Sequence, residues 1–470
     1  MQNTSDSQLE IFKRKYKNTQ VPIQISFREL CSNWSWAKRS EVYTHQMHYY
    51  PAKILPYIPI YFLSSKHYAS QNETVLDPFA GTGTVLLESI IHPFFKRNVM
   101  GIEINPLVRL IAKVKTTPLN ITKLKEASAK LMLTINNFSG QIEIPNFTNI
   151  NLWFSPRIQT ELAKIKTCIE QVEDPNFKDF FFVCFSSIIR SVSFADPMIP
   201  PPVLLNPNNF MNNPDKQKHV ESLLRKKKWA KPILYFKKKI KKNIERVESL
   251  SNLYKLDNIK VKSEIIWDDA RELKKGDYIS VGKIDKHNAV VIPDSSIGLI
   301  ITSPPYINAQ KYIRTTKLEL LWLGLGSESE IIELDRNLVG TERVRSDEYN
   351  NLKLIGIDSA DNIIKCIYEK DKRKAYIVSK YFTDMRQAMK ETYRVLKKNG
   401  RYILVIGDNS VSSFKVENHK ILTDIAIQDI GFNVETIFVD RIRSRGMITK
   451  RHETGGLVLD EWIIVLTKGN

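Results

Sequence analysis

Short apolar runs separated by polar turns predict an α/β fold. Seven runs have the length and flanks of buried strands, and they cover residues 74–76, 99–102, 264–267, 297–301, 401–406, 432–438 and 462–466. Before the run at 401–406, apolar residues recur at helical spacing from Phe382 to Leu396, and Asn399-Gly400 is a predicted stop for that helix. Strands alternating with helices predict a doubly wound, Rossmann-like sheet.

Two long segments interrupt this alternation. Residues 119–256 contain an apolar helical segment near 180–189 and a proline-rich turn region at 196–214, whereas residues 334–378 are polar and charged. The 470-residue chain is long enough for two or three domains. We predict an N-terminal leader with the first half of the sheet (1–118), an inserted, mostly helical segment (119–256) and the second half of the sheet (257–470).

A glycine loop follows the first predicted strand. In the run Asp77-Pro78-Phe79-Ala80-Gly81-Thr82-Gly83-Thr84, the two glycines permit a tight turn and a close approach of ligand to backbone. This is the place where a doubly wound sheet binds nucleoside cofactors. Leu86 occupies the third glycine position and no Gly-Lys-Thr follows, so the loop favours a cofactor without phosphate. Asp77 is positioned to accept from a ligand ammonium group.

Acidic residues follow the next two strands. Glu103 lies about 20 residues beyond the glycine loop, at the spacing of a carboxylate that binds ribose hydroxyls. Asp268 and Asp269 end the strand at 264–267, and either is placed to accept from an adenine amino group. For each acid, a solvated turn carboxylate is the alternative interpretation.

A rigid turn follows the apolar run at 297–301. It reads Thr302-Ser303-Pro304-Pro305-Tyr306, and its two prolines remove two backbone donors and fix two φ angles. The Ser303 hydroxyl and the Pro304 carbonyl are acceptors for an exocyclic amine, and the Tyr306 ring is a stacking surface for a flat heterocycle. A plain strand-ending turn is the alternative.

Together these motifs resemble the site-specific DNA amino-methyltransferases. The resemblance rests on Phe79-Ala80-Gly81-Thr82-Gly83 and the Ser303-Pro304-Pro305-Tyr306 turn, and extends to segments at 44–53, 312–322, 382–408 and 460–468. It implies a Rossmann-like methyltransferase sheet, S-adenosylmethionine as cofactor and a flipped target base in duplex DNA. The Ser-Pro-Pro-Tyr form resembles the branch that methylates cytosine N4, because the adenine N6 branch more often has Asp or Asn in place of Ser303.

The resemblance also assigns residues to the cofactor pocket. Phe79, Ile104 and the segment around Lys53 join the glycines and acids there, with Lys53 reaching the cofactor carboxylate or covering a helix end. It further implies the modification half of a restriction–modification system, with a possible endonuclease partner. We expect the stretch at 452–456 to form a loop near the site.

The basic charge is concentrated in one segment. The chain has a net charge of +19, and residues 216–246 contain 13 basic residues against two acidic ones. Such a segment neutralises phosphates, and a solvated helical face is the alternative. The predicted DNA-contacting lysines are Lys226, Lys227, Lys228, Lys237, Lys238 and Lys239.

Several classes of chemistry are disfavoured. None of the four cysteines follows a proline, so the Pro-Cys nucleophile that cytosine-C5 methylation requires is missing. His45 and His48 lack a third ligand at metal spacing, and we predict no metal. No apolar run is long enough to span a bilayer, and no signal peptide is recognised, so we expect a cytoplasmic protein without membrane contact. Adenine N6 methylation, RNA methylation and a catalytically silent binding subunit stay open as alternatives.

Overall fold

The structure is a computed structural model that describes residues 3–34, 36–37, 43–51, 53–68, 70, 72–307, 311–441 and 460–469. The expected loop at 452–456 lies outside the described residues. The strands are β1 Ile23–Ile25, β2 Val75–Asp77, β3 Val99–Ile102, β4 Ser263–Trp267, β5 Lys274–Tyr278, β6 Ile284–Val291, β7 Ile297–Thr302, β8 Leu396–Gly407, β9 Asn409–Val411, β10 Phe414–Val416, β11 Phe432–Arg441 and β12 Asp460–Lys468.

Helices account for most of the remaining described chain. The α-helices are α1 Asn3–Thr19, α2 Phe27–Leu30, α3 Tyr57–Leu63, α4 Thr84–Ile91, α5 Pro106–Thr116, α6 Ile121–Asn137, α7 Ile150–Trp153, α8 Pro156–Glu170, α9 Pro175–Val192, α10 Pro214–Lys228, α11 Pro232–Leu256, α12 Tyr312–Thr315, α13 Lys317–Leu323, α14 Glu328–Asn337, α15 Asp358–Lys370, α16 Lys372–Val395 and α17 Asn418–Ile425. A 3₁₀ turn covers Pro207–Phe210, and a π-helical turn, Ala426–Ile430, extends α17.

Eight strands form one central sheet in the order β1-β11-β12-β8-β7-β2-β3-β4. Only β12 runs antiparallel to its neighbours within it, and the other pairs are parallel. Every residue of β7 is buried, as expected for a parallel strand covered on both faces. The predicted α/β, Rossmann-like sheet is confirmed, and all seven predicted strands lie within it or overlap its strands.

One predicted helix end is wrong. The helix α16 ends at Val395 rather than at Asn399-Gly400, and β8 already begins at Leu396. Leu396 is completely buried and pairs with Ile297 of β7, so burial in the sheet outweighs the local stop signal. Asn399 instead takes a left-handed φ of 61° inside β8.

The inserted segment consists mainly of helices α6 to α11 and shares a core with helices α5 and α13. The apolar face of α9 packs with residues of α5, α6, α8, α11 and α13 in one buried cluster. Trp322 of α13 is fully buried, with its ring centroid 5.4 Å from that of Phe154. The insertion is therefore anchored next to the segment that follows the Pro-Pro turn. The domain boundaries at 118 and 256 stay a prediction.

In the described part of the chain, no helix combines the length and the apolar character needed to cross a bilayer.

Candidate active site

The glycine loop after β2 turns tightly against α5. Gly81 and Gly83 have φ angles of 51° and 73°, in the left-handed region that glycine adopts without strain. A Cβ atom at Gly83 would lie 3.1 Å from Cβ of Ala112 on α5, whereas a Cβ at Gly81 would meet nothing closer than a backbone oxygen at 4.0 Å. Gly83 thus serves helix packing, and Gly81 leaves open space beside the loop.

Glu103 holds the glycine loop against the end of β3. One carboxylate oxygen accepts from the Gly81 N–H at 3.0 Å, and the other accepts from the Asn105 N–H at 2.8 Å. Burial nevertheless raises the pKa of Glu103 to about 7, against the lowering effect of these bonds. Glu103 therefore contacts the glycine loop from which its sequence spacing was counted.

Asp77 connects the glycine loop to the Pro-Pro turn. The Thr302 hydroxyl donates to an Asp77 carboxylate oxygen at 2.6 Å, and the Phe79 N–H donates to the same oxygen at 3.1 Å. Burial raises the pKa of Asp77 to about 7, although both bonds oppose that rise. Because β2 and β7 are parallel neighbours, two motifs more than 200 residues apart in sequence meet at one edge of the sheet.

The Pro-Pro turn is enclosed by aromatic side chains. The Ser303 side chain interacts with that of Tyr306, and the Tyr312 side chain interacts with the Tyr306 backbone. Burial raises the pKa of Tyr306 well above its usual value. Gly340 takes a φ of 81°, and a Cβ there would lie 3.5 Å from the Tyr306 carbonyl and 3.7 Å from Pro305. The segment after α14 therefore packs closely over the turn, a contact that the sequence did not indicate.

Comparison with known proteins agrees with this arrangement. A family described as DNA methylase matches residues 297–469. The Type II methyltransferase M.MvaI of Kocuria varians is 26% identical over 437 residues, which cover 87% of each chain. The Type II methyltransferase M.AvaI of Nostoc sp. is 32% identical over 155 residues, or 30% of this chain and 32% of that protein. M.MjaII of Methanocaldococcus jannaschii, also a Type II methyltransferase, is 32% identical over 105 residues, 22% of this chain and 19% of that protein.

Residues 297–469 match the DNA methylase family, and most of the chain is similar to a Type II methyltransferase. This confirms the resemblance of its two motifs at the level of the family, and the methyl donor of the family is S-adenosylmethionine.

The pocket beside the glycine loop fits that cofactor. The hydroxyl of Thr82, between the two glycines, is buried and has no hydrogen-bond partner among the described residues. The space beside Gly81 is open, and the Glu103 carboxylate retains lone pairs for ribose hydroxyls. Asp77, Phe79 and Ile104 surround the same edge of the sheet as neighbours of these groups. Their roles in the methyltransferase stay predictions.

Two further residues predicted in the pocket already have protein partners. The Lys53 ammonium donates to the carbonyls of His45 and His48 at 3.2 and 3.3 Å. Although the Lys53 side chain as a whole is exposed, desolvation of its ammonium and the nearby Arg246 charge lower its pKa to about 8. A cofactor would therefore have to share this ammonium with two backbone carbonyls.

Asp269 is paired with a guanidinium group. Its carboxylate accepts from Arg271 at 2.9 Å, and Arg271 also reaches Asp384 at 3.2 Å. These bonds hold the pKa of Asp269 below its usual value, although burial opposes them. Recognition of an adenine amino group by Asp269 stays a prediction, and it would use a lone pair that Arg271 leaves free.

The basic segment divides into exposed and inward-facing lysines. Lys226 and Lys228 at the end of α10, and Lys237 and Lys238 on α11, are exposed, whereas Lys239 is half-buried. The prediction for Lys227 needs correction. It is 8% exposed, and its ammonium donates to the carbonyls of Ser193 at 2.7 Å and Arg190 at 3.2 Å. Lys227 therefore stabilises the carboxyl end of α9 and is not available to DNA phosphates.

Sequence reasoning missed a buried polar cluster behind the glycine loop. His45 and Glu88 are hydrogen-bonded at 2.7 Å, and Lys115 lies 3.5 Å from the hydroxyl of Thr84 at the start of α4. Burial raises the pKa of Glu88 to about 8 and lowers those of His45 and Lys115. In the sequence, only the His45-x-x-His48 spacing and the resemblance of segment 44–53 had pointed to this region. Among the described residues, no group of three or more His, Cys, Asp or Glu side chains is arranged to hold a metal ion.

Proposed function

We propose that this methyltransferase transfers the methyl group of S-adenosylmethionine to N4 of cytosine within a short duplex DNA site. We further propose that it is the modification half of a restriction–modification system, because M.MvaI, which is similar over 87% of this chain, and the shorter matches are all Type II methyltransferases. The observation that carries the proposal is the 2.6 Å bond between Thr302 and Asp77, which joins the Ser-Pro-Pro-Tyr turn to the glycine loop.

In this proposal the turn binds an extruded base. The Ser303 hydroxyl and the Pro304 carbonyl each accept a hydrogen bond from one N–H group of the exocyclic amine. These two bonds return electron density to the nitrogen. Tyr306 stacks on the base and fixes its orientation. S-adenosylmethionine supplies an activated methyl group when it is bound beside Gly81. The protein then contributes positioning and fixed dipoles, and no covalent intermediate with a side chain is required.

The choice of cytosine N4 rests on Ser303. Asp or Asn is more common at this position in the adenine N6 branch, whereas this chain carries the hydroxyl of the cytosine N4 branch. Both bases present an amine beside a ring nitrogen acceptor, so the scaffold alone does not distinguish them. Adenine N6 is the alternative that the product analysis below tests.

The exposed lysines of α10 and α11 support a surface for the DNA backbone. Lys226, Lys228, Lys237 and Lys238 project into solvent, and the lysine ammonium is suited to phosphate rather than to base reading. Further along α11, Arg246 donates to Gln46 at 3.4 Å. The helix therefore runs beside the segment at 43–51, which also contacts α5 through the bond from Thr44 to the Lys115 carbonyl at 2.6 Å.

Product analysis tests the proposal directly. DNA from cells that express the chain would be digested to nucleosides and compared by mass with DNA from cells that express the Ser303→Ala variant. We expect N4-methylcytosine only in the former, and sequencing of the modified positions would give the recognition site. N6-methyladenine instead would assign the alternative base, and unmodified DNA with methylated transfer RNA would overturn the DNA substrate.

A further inference from the structure

A carboxyl group at the edge of the active site has no role in the chemistry proposed so far. Glu461 is the second residue of β12 and lies opposite Gly407 of β8 and Asp440 of β11. Because β12 runs antiparallel to both strands, its first residues lie at the same edge as the carboxyl ends of β7 and β8. Gly407 contributes no side chain, so Glu461 has no side-chain partner from β8 at this position.

One oxygen of the Glu461 carboxyl group is buried without a hydrogen-bonding partner, although the residue as a whole is half-buried. Its Oε2 atom is buried and finds no donor or acceptor in the part of the chain that the structure describes. Among the described residues, the charge that acts on Glu461 is that of Asp440 on β11, and the charge of Glu461 in turn acts on Tyr306. Burial, with the Asp440 charge, raises the pKa of Glu461 to about 7. A buried carboxyl in these surroundings favours its neutral form.

Glu461 also lies next to the candidate catalytic turn. Its charge is among the causes that raise the pKa of the Tyr306 hydroxyl, which also interacts with the Ser303 side chain. The strand register gives the same placement, because Gly407, the β8 partner of Glu461, lies three residues beyond Leu404, the β8 partner of Thr302 at the end of β7. An unpaired buried polar atom in such a place costs free energy unless a ligand satisfies it.

We infer that protonated Glu461 is a specificity-determining residue that donates a hydrogen bond to the ring nitrogen next to the exocyclic amine of the target base. The inference rests on the proposed function. Ser303 and Pro304 provide acceptors for the amine, but the adjoining ring nitrogen, N3 of cytosine or N1 of adenine, is itself an acceptor and needs a donor. Thymine carries an N–H at the corresponding position, so a carboxyl donor there disfavours it.

The rate is expected to depend on pH because Glu461 must be protonated to donate. Because the protonated carboxyl is the active form, kcat/KM stays level below the pKa of about 7 that burial gives Glu461. Above it, kcat/KM falls about tenfold for each pH unit until the deprotonated level is reached. A glutamine retains an N–H donor of similar reach and does not titrate.

The experiment uses the full chain and a duplex containing the site mapped by sequencing. We would measure kcat/KM between about pH 6 and about pH 9 for the wild type, Glu461→Gln, Glu461→Leu and a control, Glu417→Gln. Glu417 is a more exposed carboxylate, paired with Lys415, on the segment after β10. Binding of duplexes whose target base is cytosine or thymine would be measured in parallel for each variant.

We expect Glu461→Gln to remain within about threefold of wild type at low pH and to lose the decline at high pH. Glu461→Leu should lose roughly 10- to 100-fold at all pH values and bind cytosine and thymine duplexes more equally, while Glu417→Gln behaves as wild type. An unchanged high-pH decline in Glu461→Gln would overturn the inference. So would a wild-type rate that rises with pH and disappears in Glu461→Gln, since the carboxylate would then act as a base. A wild type that methylates no DNA at all would instead refute the proposed function.

Discussion

At the carboxyl edge of the sheet, polar side chains are held by backbone groups and by one another, whereas on α10 and α11 they project from helices into solvent. Glu103 accepts from two backbone N–H groups, and Asp77 accepts from Thr302 and Phe79. Among the described lysines of the basic segment, Lys227 is the one whose ammonium donates to backbone carbonyls, and it faces inward. Substitutions should therefore act sharply and individually in the first region, and weakly and collectively in the second.

The largest effect should come from Ser303→Ala. It removes one acceptor for the amine, and we expect the methyl-transfer rate to fall about 100- to 1000-fold, as for other preorganised active-site hydrogen bonds. Binding of S-adenosylmethionine, followed by calorimetry, should survive. The matched control is Ser329→Ala at the exposed start of α14. Full activity in Ser303→Ala would remove the role assigned to this hydroxyl.

The next effect concerns the cofactor pocket. Glu103→Gln replaces a carboxylate that accepts from two N–H groups by an amide with only one oxygen. We expect S-adenosylmethionine binding to weaken about 10- to 100-fold, because bonds to a charged acceptor are lost. Glu264→Gln on neighbouring β4, whose carboxylate is 42% exposed and paired with Lys275, serves as the control. Equal affinities in the two variants would contradict the cofactor role of Glu103.

Lys227→Met distinguishes a structural lysine from its neighbours. The methionine keeps the apolar stem but removes the donor to the carbonyls of Ser193 and Arg190. We expect a loss of about 1–3 kcal/mol in the free energy of unfolding, measured by urea denaturation, with the salt dependence of DNA binding unchanged. A flatter salt dependence at unchanged stability would restore Lys227 to the DNA surface.

The smallest effect should come from replacing both Lys226 and Lys228 by alanine. If each ammonium neutralises one phosphate, the slope of log K against log salt should decrease by about 2, with similar losses for all DNA sequences. Stability should not change. Replacing Lys397 and Lys398, near the amino end of β8 and away from the site, is the control. A changed site preference would instead indicate that this surface reads bases.

The sequence by itself determined the strands of the sheet and the place of the two motifs. Apolar runs such as the one in β7 have one stable environment, a strand covered on both faces. The carboxyl ends of parallel strands meet at one edge of the sheet. The sequence alone therefore predicts that the glycine loop, Glu103 and the Pro-Pro turn lie close together. These predictions depend on backbone geometry, which the local sequence strongly constrains.

Only the tertiary structure decided which polar side chains have partners. Lys227 is buried between exposed lysines of the same run, because one face of α10 packs on the end of α9. Asp269 is paired with Arg271, and Glu461, with one buried and unpaired carboxyl oxygen, reaches the edge of the Pro-Pro turn from a strand more than 150 residues later in the chain. Burial and pairing arise from contacts between distant segments, and composition and spacing do not encode those contacts.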